Sequence, residues 1–252
     1  MSDHSKAGLT KRLKNRFWSL FPHHAIAPFR FELRLLKVRR RASLVRRRYR
    51  GARGLLVNLG AGPHGRPGWV NVDISRERGV NCVYDLRRDL PFEDGAVAGL
   101  FCEHVLEHLH RSEEAPRFLR ECFRVLEPGG VFRVIVPDGG RYLRAYSQEG
   151  WAALDALRGT DAEHRDPWSD GRYRTKMELV NEIFRQNGEH QYAYDAETLI
   201  ADLREAGFDR VIEQSFGVGQ DARLLLDRPS RAAESLYVEA LKTAARPNFS
   251  TT

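Results

Sequence analysis

An α/β fold organised around a mostly parallel sheet is what this sequence predicts, and two observations carry the prediction. Residues 55–75, LLVNLGAGPHGRPGWVNVDIS, read as a buried strand, a glycine turn and a second strand closed by an acid. Beyond them, short apolar strands alternate with segments of helical period, the pattern of strands joined by crossovers. The first stretch is a nucleoside-binding arrangement. Gly60 and Gly62 lack a Cβ, so a ligand can approach the backbone closely there. Asp73 offers a carboxylate able to accept both hydroxyls of a ribose.

The turn discriminates between cofactor classes. Gly60, Gly62 and Gly65 match G-x-G-x-x-G, which in the right context marks a dinucleotide site. That context requires a helix N-terminus directly after the turn to hold a pyrophosphate. Residues 63–68, PHGRPG, hold two prolines and two glycines and rule out more than a token helical turn. Asp73 also comes too early, because the dinucleotide fingerprint places its acid about 20 residues on. S-Adenosylmethionine carries no phosphate and needs no such helix, so the loop favours it.

The remaining elements follow in order. VYDLRRDLPFEDG gives a strand ending at Asp85 and a turn from Pro91 to Gly95, and a further strand runs from Val97 to about Cys102. Residues 117–126 follow a helical period, with Phe118, Leu119, Cys122, Val125 and Leu126 on one face. PGG at 128–130 is read as the helix stop, and VFRVIVPD as the next strand. DAETLIADLREAGF has helical spacing up to Gly207, FDRVIEQ reads as a strand, and SLYVEALK as the last one. With NLGAG, GWVNVDI, DL…LPF, HVLEHL and PGG in this order, the chain resembles the class I S-adenosylmethionine-dependent methyltransferases, and within them a type-11-like bacterial subgroup. The resemblance covers residues 54–138, with a weaker echo to residue 242.

That resemblance implies a Rossmann-like sheet of seven strands, the last antiparallel. It implies that Gly60, Ala61 and Gly62 pass under the methionine and ribose, that Asp73 binds the ribose hydroxyls, and that Asp85 and the Leu86 backbone face the adenine. Glu103 would approach the methionine end. Many relatives carry an acid where this chain has Asn58, which accepts a hydrogen bond but offers no charge. The first two crossovers are also short: parallel strands usually need a dozen or more linking residues. Stunted or missing first helices are therefore expected, with the N-terminal segment covering part of that face.

Charge divides the chain. Residues 1–53 hold sixteen Lys and Arg against Asp3 and Glu32, a net +14, so residues 54–252 carry −7 of the overall +7. The expected organisation is a basic amphipathic segment over 1–53, a methyltransferase domain over 54–246 and a lid-like insertion at about 139–193 rich in Arg, Asp and aromatics. The basic arm carries apolar anchors such as Phe17, Trp18, Phe21 and Phe29. It suits packing on the domain, peripheral contact with an anionic membrane or, ranked lower, nucleic acid. Three cysteines without paired spacing indicate buried thiols in a reducing compartment. With no run of about 18 apolar residues and no export signal, the expected location is cytoplasmic, with the inner membrane face as an option for the arm.

Three residues are candidate bases at the mouth formed by the strand C-termini: His104, His190 beside Tyr192 and Tyr194, and Asp138. Histidine titrates near neutrality, which suits deprotonation of a hydroxyl. Expected chemistry is O-methylation of a sugar, lipid-linked glycan or small metabolite. An RNA methyltransferase using the arm, and a non-catalytic binding protein on the same scaffold, are the alternatives. No metal centre is expected. HVLEH at 104–108 matches H-x-x-E-H, but it begins directly after a strand, and Glu107 and His108 read as residues that cap or pack a short helix.

Overall fold

Seven strands form one sheet in this computed structural model, which describes residues 23–158 and 173–243. They are β1 (Leu55–Leu59), β2 (Val70–Asp73), β3 (Cys82–Val83), β4 (Val97–Glu103), β5 (Leu126–Pro137), β6 (Arg210–Gln214) and β7 (Ser235–Leu241). The spatial order is β3-β2-β1-β4-β5-β7-β6, with β7 alone running against its neighbours. Every residue of β4 is buried, as befits a central strand covered on both faces. Strand order reverses between β1 and β4, so the C-terminal ends of these two strands open the crevice where such sheets bind ligands.

No helix joins β1 to β2, β2 to β3 or β3 to β4. Instead Gly65 and Gly79 bring the two loops backbone to backbone: a Cβ at Gly65 would overlap the Gly79 carbonyl. The third glycine of the sequence motif thus serves loop contact rather than a helix. Around these loops, residues 44–53 contribute cover. Tyr49 is buried with its ring 5.2 Å from that of Phe92, Arg48 donates to the Asn81 carbonyl, and Arg53 pairs with Glu93 at 2.9 Å. The chain divides into compact units at 43/44, earlier than the 53/54 boundary drawn from charge. In the first unit, α1 (His23–Arg39) keeps Ile26 and Leu35 buried; α2 (Ala42–Arg48) begins in that unit and continues into the second. Phe17, Trp18 and Phe21 lie outside the described residues.

Helix α3 (Glu114–Val125) buries Ala115, Phe118, Leu119, Cys122 and Val125 on one stripe, the large apolar ones contributing roughly 1.5–3 kcal/mol each. Its end differs from expectation. The helix stops at Val125 and β5 begins at once, so Leu126 is a strand residue and PGG lies inside the strand. Pairing with β4 jumps from Val97↔Leu126 to Gly99↔Val131, so residues 127–130 form a bulge in which Pro128 has no ladder bond to lose. Gly129, at φ 87°, donates to the Lys242 carbonyl and fixes that bulge against the chain after β7. Arg124 ties α3 to the 90–94 turn, donating to Glu121, Asp94 and the carbonyls of Leu90 and Phe92.

After β5 come α4 (Gly139–Ser147), α5 (Ala152–Leu157) and α6 (Lys176–Arg185), then α7 (Ala196–Glu205) leading into β6. Asp195 caps α7 by accepting from the Thr198 amide at 2.9 Å. Asp195→Ala should lower stability by about 0.5–2 kcal/mol in urea unfolding, the usual loss for an N-cap carboxylate. The cysteines Cys82, Cys102 and Cys122 are free and buried. Among the described residues no helix is long and apolar enough to cross a membrane.

Candidate active site

A cleft of about 480 Å³ opens at the C-terminal ends of β1 and β4, within the roughly 300–1,000 Å³ of small-molecule sites. One wall is the bend after β1: Asn58, Gly60, Ala61 and Gly62. The amides of Gly60 and Ala61 both donate to the Val72 carbonyl, at 2.9 and 3.0 Å, and Gly60 and Gly62 have φ of 72° and 48°. The two glycines do different jobs. A Cβ on Gly60 would overlap the Val105 Cγ2 methyl, so that space is taken by protein, contrary to the expectation that both leave room for a ligand. A Cβ on Gly62 would meet nothing within 4 Å. The open side of the bend is therefore at Gly62. Beside it, Asp73 Oδ2 accepts from the Gly62 amide at 2.9 Å while Oδ1 accepts from Ser75 at 2.8 Å. Asp73 is half-buried, lies outside the lining of the cleft and keeps lone pairs beyond those two bonds.

The floor holds Glu103, whose oxygens accept from the backbone amide and Nε of Arg228. Its charge is thus matched within the protein. Asn58, buried, donates weakly to the His64 carbonyl at 3.5 Å. Arg228, Arg231 and Glu234 line the same cleft, with Arg231 paired to Glu234 at 2.7 Å and the Tyr142 hydroxyl donating to Glu234. These residues were missed from the sequence, yet a signal existed. An antiparallel last strand starts at the edge where β5 ends, as the pairing Pro137↔Ser235 shows, so the residues just before Ser235 have to stand at the mouth.

The opposite wall comes from the insertion and from the turn after β4. His104 sits in left-handed backbone (φ 54°), its Nε2 2.9 Å from the Ser235 hydroxyl and its Nδ1 3.4 Å from Glu107. Burial, and then the nearby arginines, hold its pKa well below the usual histidine value, so it is neutral, with Nε2 at the Ser235 hydroxyl and Nδ1 facing Glu107 without a hydrogen bond. His190 Nδ1 is 2.6 Å from the Ile183 carbonyl, which can only accept, so Nδ1 carries the proton and Nε2 keeps its lone pair. His108 repeats the pattern on the Glu189 carbonyl at 3.2 Å. The two rings meet edge to face, 4.7 Å between centroids. Burial lowers both pKa values, that of His190 to about 4 with His108 as the next cause. Glu107 and His108 face the cleft from a short 3-10 turn (Leu106–His108); they do not merely pack a helix.

Several expected site residues stand elsewhere. Asp138 lies off the cleft and is the N-cap of α4, with Oδ1 accepting from the Arg141 amide and Oδ2 2.9 Å from the Arg141 guanidinium. A carboxylate committed to a cap and an ion pair is not placed to take a substrate proton. Asp85 is 2% exposed and accepts from the amide and Nε of Arg87, while Leu86 is buried. Neither reaches the cleft. Tyr192 and Tyr194 meet edge to face, with Arg111 over the Tyr192 ring, and do not line it either.

Residues 70–134 match the profile of the methyltransferase-domain family. The matched segment runs from β2 into β5. Over 50 residues, a fifth of this chain, it is 44% identical to a probable S-adenosylmethionine-dependent methyltransferase of Mycolicibacterium smegmatis. The aligned part spans 18% of that relative's length. Among solved structures, a Burkholderia thailandensis 1,6-didemethyltoxoflavin N1-methyltransferase aligns over 97% of this chain and 92% of its own, with 18% identity and a TM-score of 0.44. A Thermotoga maritima S-adenosylmethionine-dependent methyltransferase aligns over 85% and 96%, with 16% identity and a TM-score of 0.43. The methyltransferase sheet order is present here without its first helices. The residues fit S-adenosylmethionine: an uncrowded left-handed glycine, a carboxylate beside its amide, and no helix N-terminus that would favour a pyrophosphate.

Proposed function

We propose that this chain transfers a methyl group from S-adenosylmethionine to a hydroxyl of a small polar acceptor, a sugar or glycan unit being the class that fits best. One observation carries the reading. The Gly60–Gly62 bend and the neutral imidazoles of His108 and His190 line a single cleft, and Asp73, outside that lining, holds the Gly62 amide. When bound, S-adenosylmethionine supplies an electrophilic methyl on a sulfonium that is already a good leaving group. The chain's task is then mostly alignment. Gly62 allows close approach, Asp73 accepts from ribose hydroxyls, and Asn58 and Glu103 border the methionine end. His190 Nε2, and His108 Nε2 beside it, accept a hydrogen bond or proton from the acceptor hydroxyl. The polar wall of Glu182, Gln186, Glu189 and Arg231 supports a hydroxylated acceptor over an apolar one. The basic arm is proposed to hold the enzyme at an anionic membrane face, which liposome sedimentation with and without residues 1–43 tests.

Asp73→Ala should weaken S-adenosylmethionine binding by about 1–3 kcal/mol through lost hydrogen bonds to a charged acceptor. Isothermal titration measures it, with thermal unfolding run alongside because Asp73 also holds the Gly62 and Ser75 amides. Unchanged affinity would put the ribose elsewhere. The acceptor is sought by mass spectrometry of glycans and small metabolites incubated with the protein and a methyl-deuterated donor. On the acceptor so found, His190→Ala should slow turnover by about 10²–10⁴-fold while donor affinity holds. An unaltered rate rejects the histidine's role.

A further inference from the structure

Glu107 is the most unusual side chain of the cleft. It is 1% exposed, and neither carboxylate oxygen has a hydrogen-bond partner. Leaving a buried carboxylate unpartnered costs several kcal/mol unless it is neutralised or finds a cation. His104 Nδ1 stands 3.4 Å from one of the Glu107 oxygens without a hydrogen bond. Next to it stand two more donors. His108 and His190 each give the Nδ1 proton to a backbone carbonyl, which fixes the tautomer and leaves Nε2 as a lone-pair donor. A ligand atom from each of Glu107, His108 and His190 lies within 4.8 Å of the others.

We propose that Glu107, His108 and His190 form a three-ligand site for a divalent transition metal of the zinc class, with its open position facing the cleft. Two imidazoles and one carboxylate are the donor set of three-ligand zinc sites, and imidazole nitrogen selects against magnesium and calcium. Ligand bonds of about 2.1 Å in a tetrahedral array put donor atoms about 3.4 Å apart, so the cluster closes by movements on the order of 1 Å. Of the cations at the rim, Arg228 is held by Glu103, while Arg231, though paired with Glu234, reaches all three ligands with its charge and opposes the ion. One carboxylate and two neutral rings leave the bound ion a net +1; with both Nε2 lone pairs taken, the ion rather than the imidazoles would draw an acceptor oxygen into the fourth position and acidify its hydroxyl. That last role rests on the methyl-transfer reading; the binding of the ion does not. The site departs from the sequence expectation of no metal. H-x-x-E-H pairs its two histidines across one helix turn, whereas here the second histidine comes from residue 190 of the insertion, and His104 stays bound to Ser235.

The test uses the full, untagged chain, stripped with a chelator and titrated with Co²⁺ and Zn²⁺ in the absence of S-adenosylmethionine. One equivalent of Co²⁺ should give the intense visible absorption of a tetrahedral site, displaced by Zn²⁺, with a rise in melting temperature. Glu107→Gln and His190→Gln should each weaken Zn²⁺ binding at least about 10-fold, whereas His110→Gln, outside the cleft, should leave it unchanged. Glu107→Gln removes an unsatisfied charge, so it should keep or raise the metal-free melting temperature, which guards against confusing unfolding with ligand loss. No saturable site in the wild type, or the same affinity in wild type and Glu107→Gln, overturns the proposal. Because no donor is present, that failure is separate from any failure of methyl transfer.

Discussion

Arg133→Ala should lower the unfolding free energy by about 3–5 kcal/mol, the largest loss expected of any single substitution in this chain. Arg133 is fully buried in the middle of β5. Its guanidinium donates to Asp227 through Nε and Nη2, at 2.7 and 2.5 Å, to Glu239 at 3.2 Å, and to the carbonyls of Val218 and Ser215. Glu239 in turn accepts from Gln214 and from the Gln220 amide. One cation thus ties the 215–227 loop to the β5–β7 pair. Removing it leaves two carboxylates buried without a counter-charge, which is far worse than losing the bonds themselves. Chemical denaturation measures the change, and a loss under 1 kcal/mol would mean that the loop relaxes and hydrates both acids. Arg133→Met together with Asp227→Leu and Glu239→Leu should recover much of the loss, since a well-packed apolar replacement of a buried ion cluster is often neutral or better.

Gly60→Ala should be the next most damaging. Left-handed backbone costs a residue with a Cβ about 1–2 kcal/mol, and forcing Val105 aside adds about 1–3 kcal/mol of overpacking, for about 2–5 kcal/mol in all. Gly62→Ala offers the contrast. It carries the backbone term alone, about 1–2 kcal/mol, because its new methyl meets only open space. That same methyl stands where the donor is proposed to lie. Gly60→Ala should therefore show mainly in thermal unfolding, and Gly62→Ala mainly in donor affinity. Equal stability losses with unchanged binding in both would remove the donor from this bend.

Much of the sheet was legible in the sequence because local pattern and global role agree. LLVNL, WVNVD and VFRVIV have nowhere to be but strands, and the two prolines of PHGRPG exclude a first crossover helix. The end of α3 was not legible. PGG reads as a helix stop in isolation, but the strand begins at Leu126 and absorbs the three residues as a bulge, a choice made by pairing with β4. The site divides in the same way. Gly62 and the cleft histidines 104 and 190 were visible from position in the fold. Asp138 was misjudged because a residue after a strand can equally cap the helix that follows, and α4 starts at the next residue. Asp85 stands outside the lining of the cleft, where Arg87, two residues on, donates to it. Arg228, Arg231 and the contact of His104 with Ser235 follow from where the antiparallel last strand enters beside the end of β5, a consequence of the expected topology that was missed. The meeting of Glu107 and His108 with His190 joins residues about eighty positions apart and needs the fold to be known.

Equilibrium dialysis of the full chain against labelled S-adenosylmethionine tests the central claim most directly. One site per chain with a dissociation constant on the order of 100 µM or below, about −5.5 kcal/mol or more favourable, weakened in Gly62→Ala and Asp73→Ala, is the predicted result. No binding to the folded wild-type chain at concentrations well above that value would contradict it, and would leave this cleft to a ligand without adenosine.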